Sequence, residues 1–172
     1  MGLQRSRSSD DRQSSFTLHL ECVDDKSIIK IPLTQVGLQF DNSLLRTEEI
    51  EYAHDVLEYH VRRNNRLNES VASEPVIISQ AGVIRNGTLM MYRSMMQKIS
   101  DRTIKTDAEL DQELASMIAE GRRARGPHFI DFTRQLSELR FALRKQLDVE
   151  RQRAMNKQTT NKVSEIQYAE RA

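Results

Sequence analysis

The side chains with the intrinsic reactivity for nucleophilic, acid–base or metal chemistry are His19, His54, His60, His128 and Cys22. Their spacing does not gather them. His54 and His60 are six residues apart, which puts them on different faces of a helix, and no H-E-x-x-H string exists. Cys22 ends an alternating apolar run and has no basic neighbour to favour its thiolate, so it reads as a small hydrophobe on a buried strand face. The strings G-x-x-x-x-G-K-[ST], G-x-G-x-x-G and G-x-S-x-G are absent. Acidic pairs such as Glu48-Glu49 stand at an expected helix start, where the helix dipole accounts for them. The expectation is a protein that is not an enzyme, with no cofactor, no bound metal and no small-molecule substrate.

Three other groups of residues suit binding. Gly2 and Ser6 fit the M-G-x-x-x-[ST] pattern of N-myristoylation, and a single acyl chain would give only weak membrane association. Arg5, Arg7 and Arg12 add a small basic supplement, Asp10 and Asp11 subtract from it, and Ser6, Ser8 and Ser9 beside the arginines are candidate phosphorylation sites. Arg122, Arg123, Arg125, Arg140, Arg144 and Lys145 are candidate phosphate contacts for a nucleic acid. With a formal net charge of +1 and no aromatic residues interleaved for base stacking, that reading stands second to a solvated basic face. An acidic stretch with Asp107, Glu109, Asp111 and Glu113 precedes the basic one, and the two are expected to form an antiparallel pair of helices that neutralise each other.

The third group is the methionine-rich segment around Met90 to Met96, too apolar for a free surface. The segment is either core, the commoner place for methionine, or the interface of a complex: Leu89, Tyr92, Met96 and Ile99 make one helical stripe for the core, and Met91 and Met95, where left uncovered, form an adaptable partner-binding patch flanked by Leu143 and Leu147 of the last helix.

The elements that must position these groups follow from periodicity. Residues 1–15 carry one large apolar side chain, Leu3, and read as a disordered tail. Period-two alternation at Phe16, Leu18 and Leu20, and again at Ile29, Ile31 and Leu33, gives a β-hairpin over 16–33 with turn chemistry at Asp24 to Ser27. Thr47 as N-cap opens a helix over about 48–66, and apolar stripes place further helices at about 84–101, 107–121 and 128–155. Thr106 and Glu109 make a capping box, Gly121 or Gly126 can end the third helix, and residues 156–172 read as a flexible tail.

The chain is therefore expected to be a predominantly helical α+β protein: one domain over 16–155, with an amino-terminal hairpin, about four helices, and a long final helix. Its 38% hydrophobic residues are enough for a core, one cysteine excludes an internal disulfide, and no leader pattern is present, so a cytoplasmic or nuclear home is expected. The functional expectation is a non-catalytic adaptor or scaffold subunit that binds other protein subunits through helical surfaces. A myristoylated membrane-peripheral protein and a nucleic-acid-binding module are the alternatives.

Overall fold

The computed structural model describes residues 2–6, 13–24, 26–37, 44–67, 76–78, 83–130 and 133–169. The fold is α+β and mainly helical, with a sheet first and helices after it. In place of one domain over 16–155, the chain divides into two compact units, Met1–Asp41 and Asn42–Ala172.

The first unit is an antiparallel three-stranded meander of β1 (Gly2–Ser6), β2 (Gln13–Glu21) and β3 (Ile28–Val36), in that order. The expected hairpin is there: Phe16 lies opposite Leu33, Leu18 opposite Ile31 and Leu20 opposite Ile29, so the alternating apolar residues of both strands share one face. Pro32 sits in an edge strand, where its missing N–H is tolerated. At the turn Cys22 donates its N–H to the Ser27 carbonyl at 2.8 Å, and Lys26 takes a left-handed φ of 60°. Two expectations are corrected here. Residues 2–6 are not a tail but pair along β2, Leu3 opposite Leu18, because an extended segment can satisfy a strand's free edge by main-chain bonds without an apolar stripe of its own. Cys22 is exposed, because β2 ends at Glu21 and Cys22 opens the turn.

The second unit is a bundle of α1 (Thr47–Leu67), α2 (Val83–Ser100), α3 (Asp107–Arg125) and α4 (Thr133–Ala169). α2 and α4 pack together and each touches both α1 and α3, so the most apolar helix lies at the centre. The bundle core includes Ile50, Tyr92, Ile99, Leu110, Leu139 and Ala142, all buried.

Thr47 does not cap α1. Its hydroxyl donates to Glu138 Oε2 at 2.8 Å, and Glu138 Oε2 also accepts the Thr47 N–H at 3.0 Å. Arg46 holds the cap position instead: its carbonyl accepts from Glu49 and Ile50, and its N–H donates to Glu49 Oε2 at 2.8 Å. One residue earlier, fully buried Gln135 receives the Leu45 N–H at 2.7 Å and donates to the Leu45 carbonyl at 3.0 Å. An amide is the side chain that can serve both groups of one buried peptide unit. α4 thus fixes where α1 begins.

α3 starts on the expected capping box, with Glu109 N–H donating to Thr106 Oγ1 at 3.2 Å and Thr106 N–H to Glu109 Oε2 at 3.0 Å. It runs through Gly121 and ends at Gly126, whose φ of 96° suits a residue without Cβ. Gly121 has another use. The Phe129 ring, buried in the turn before α4, is wedged between Gly87 of α2 and Gly121 of α3, where an added Cβ would overlap the ring. Phe129 and Ile130 therefore belong to a buried turn, and α4 begins at Thr133 rather than about 128. α4 continues to Ala169 rather than 155. No Gly or Pro follows residue 127, so nothing breaks the helix, and 37 residues span about 55 Å.

Candidate functional site

The expected partner patch is core. Met91 is 2% exposed, Met95 0%, Leu143 0% and Leu147 1%. The single stripe read from the sequence underestimates how much of α2 is covered, because α1, α3 and α4 all pack on it. The buried stripe runs through Thr88, Met91, Tyr92, Met95 and Ile99, while Leu89 and Met96 are only half-buried and Met90 is 46% exposed.

The candidate phosphate contacts separate into two groups. Those on α4 are engaged within the bundle: Arg140 is hydrogen-bonded to Asp111 by two nitrogens, Arg144 lies 3.3 Å from Asp107, and Lys145 lies 2.8 Å from Glu51. The Arg140 guanidinium holds the Asp111 carboxyl below its ordinary range. The partner helix α3 runs antiparallel, as expected from the charge pattern, since Arg140 meets Asp111 and the later Arg151 meets Asp107 at 3.6 Å. Arg122, Arg123 and Arg125 at the end of α3 are exposed, with no ion pair among the described residues. Gly2 is the first residue of β1, opposite His19, and Ser6 lies opposite Ser15. Ser8 and Ser9 lie outside the described residues.

What the bundle does present is a groove of about 820 Å³ on the outer side of α2, away from its core stripe. Its α1 wall is His54, Glu58 and Arg62, one helical turn apart, and its α2 wall includes Met90, Arg93, Gln97 and Ser100. Arg93 Nε donates to Glu58 Oε1 at 2.9 Å, and His54 meets Tyr92 edge-on with ring centroids 5.1 Å apart. These cross-contacts hold the two helices side by side, and Arg62, one turn beyond Glu58, lines the same groove as Met90. Arg125 reaches the groove from α3 and donates to Met90 Sδ at 3.7 Å. Val76 and Ile77 close one side, where Asn86 Nδ2 donates to the Ile77 carbonyl at 3.0 Å.

Burial pushes the His54 imidazole below its ordinary value, against the opposing pull of Glu58 and Asp55. Burial likewise raises the Tyr92 phenol, with Glu51 and Asp55 adding to it, so both rings are neutral at physiological pH. Among the described residues, no hydrogen bond joins His54 to a hydroxyl or thiol, and no set of three His, Cys, Asp or Glu side chains is placed to hold a metal ion. No helix there is long and apolar enough to cross a membrane. The groove offers guanidinium donors, thioethers and aliphatic walls, which is the equipment of a binding surface.

No family model, curated protein or solved structure matches the chain. The groove was missed in the sequence because its walls come from α1, α2, α3 and the segment 76–78. The available signal was local: His54 belongs to the helical stripe with Ile50, Leu57 and Val61, and Glu58 and Arg62 follow it at intervals of four along the edge of that stripe.

Proposed function

We propose that the protein is a non-catalytic adaptor or scaffold subunit that joins a larger assembly through its helical unit, with the groove between α1 and α2 as the contact surface. One observation carries this reading. Val76, which lines the groove, and Ile78, two residues on, are 84% and 83% exposed on the segment that Asn86 ties to α2, and Met90, 46% exposed, lines the same groove. A cluster of exposed apolar side chains around a concavity, rimmed by arginines, is the common composition of a protein contact, with arginine and methionine both enriched there. The binding partner is another protein subunit in this reading, and the adaptable thioethers of Met90 and Met96 suit a surface that moulds to it.

Site-specific photocrosslinking in cells of origin tests it. A photoreactive residue placed at 78 or 90 should yield the same crosslinked protein, and one placed at exposed Gln152 of α4 should not. No crosslink from 78 and 90, or the same crosslink from all three, would overturn the groove as the contact surface.

A further inference from the structure

We infer that the occupant of the groove is an acidic, amphipathic segment of a partner protein, its carboxylates on Arg62 and Arg125 and its apolar side chains on Met90 and Met96. This rests on the reading of the groove as a contact surface and adds the chemistry of what enters it.

Charge decides the sign of the partner. The groove is lined by Arg62, Arg93 and Arg125 and by a single carboxylate, Glu58. Glu58 is already bonded to Arg93 at 2.9 Å, so the positive charges of Arg62 and Arg125 have no carboxylate among the described residues. Five cations of α4 contrast with these two: Arg140, Arg144, Lys145, Arg151 and Arg153 each have an acidic partner within 4 Å. The chain carries 26 basic and 25 acidic residues, so acids are not scarce. Among the described residues, the last two turns of α1 carry Arg63 and Arg66 beside Arg62 and no acid, and those of α3 carry Arg122 and Arg123 beside Arg125 against Glu120 alone. Part of that charge complements the carboxyl ends of the two helices, but that accounts for arginines at each helix end and not for two of them converging on one groove.

Apolar content decides the class of the partner. A nucleic acid would be favoured by phosphate donors with aromatic faces for its bases, and among the described residues no Phe, Tyr or Trp lines the groove. Thioethers and aliphatic walls stand there instead, which suit apolar side chains. The α2 wall from Met90 to Ser100 spans about 15 Å, the length of two to three turns of helix. A segment of that length reaches the arginines with one end while its apolar stripe lies along the floor, the helix-in-groove arrangement.

The test uses the full chain and three fluorescein-labelled peptides of twelve residues, composed of Leu and Glu, of Leu and Lys, and of Ser and Glu, with binding read by anisotropy. The Leu/Glu peptide should bind at least tenfold more tightly than either of the others and weaken as salt rises. Arg62→Gln with Arg125→Gln should reduce that binding at least tenfold, as should Met90→Asp, with circular dichroism unchanged in both variants. Equal binding of the Leu/Glu and Leu/Lys peptides would overturn the inference. So would a twelve-nucleotide oligouridylate that binds more tightly than the Leu/Glu peptide and is insensitive to Met90→Asp, which would move the site to nucleic acid. The two readings fail separately. Crosslinks from 78 and 90 without preference for the acidic peptide would sink the acidic partner and leave the adaptor. Preference for the acidic peptide without such crosslinks would do the reverse.

Discussion

Gly121→Ala should destabilise the protein although it removes a glycine from the middle of a helix, and the sign of its effect should reverse once Phe129 is removed. In an exposed helix, Gly→Ala stabilises by about 1 kcal/mol. Here the new methyl would overlap Cδ1, Cε1 and Cζ of the Phe129 ring, and the ring cannot retreat, because Gly87 lies 2.5 Å, measured from its own would-be Cβ, from the opposite edge at Cε2. Overpacking of this kind costs about 1–3 kcal/mol, so with the upper end of that range the net effect is a loss of about 2 kcal/mol. Phe129 is 5% exposed, and Phe129→Ala should cost about 3–5 kcal/mol. In the Phe129→Ala background the slot is empty, the helix-propensity gain acts alone, and Gly121→Ala should stabilise by about 1 kcal/mol. The coupling between the two sites is then about 3 kcal/mol, at the top of the range for residues in contact. Urea titration of the four chains, followed by circular dichroism at 222 nm, measures it. Equal effects of Gly121→Ala in both backgrounds, within about 0.5 kcal/mol, would refute the wedge.

Gln135→Leu keeps the volume but strands the N–H and carbonyl of Leu45, which is 2% exposed, so a loss of about 2–5 kcal/mol is expected in the same titration. The His54 imidazole is lowered from 6.5 by burial, so below that pH the unfolded chain takes up the proton first; stability should fall with pH from about 6.5 down to the lowered folded value and be unaffected above it. His54→Gln should reduce that part of the stability–pH slope, leaving the share from His60, whose imidazole is lowered by burial and by Arg63. Asp111, held below its ordinary 3.8 by its hydrogen bonds to Arg140, contributes stability above that pH that is lost as pH falls through the lowered value. Asp111→Asn should remove that acid-side dependence while changing neutral-pH stability by only about 1 kcal/mol, because both partners are near 40% exposed.

The elements whose own residues carry the signal were legible. Alternation at Phe16 to Leu20 and Ile29 to Leu33 set the register of β2 on β3, and the spacing of apolar residues located α1 and α2 to within a residue or two. Opposite charge on α3 and α4 foretold their antiparallel pairing, now seen in Asp111 with Arg140. What escaped depends on contacts between distant segments. β1 exists through main-chain bonds to β2, which composition does not display. Thr47 has a good N-cap side chain, yet Glu138, 91 residues away, claims it. Gly121 reads as a helix end, and only the Phe129 ring explains why α3 runs through it. The partner patch failed for the same reason: a helical wheel orders the faces of α2 but not which neighbours cover them, so Met91 and Met95 went inside and Met90 stayed out.

That last pair gives the most direct test of the account. Met90 is 46% exposed in the groove and its neighbour Met91 is 2% exposed in the core, so a charge should be read oppositely at the two positions. The measurement is thermal unfolding of Met90→Asp and Met91→Asp together with recovery of the protein crosslinked through residue 78. Met90→Asp should melt within a few degrees of the parent and lose the crosslinked partner, while Met91→Asp should unfold, since a buried unpaired carboxylate has no compensating contact. A folded Met90→Asp chain that keeps its partner would contradict the groove as the binding surface, and a stable Met91→Asp chain would contradict the bundle that builds it.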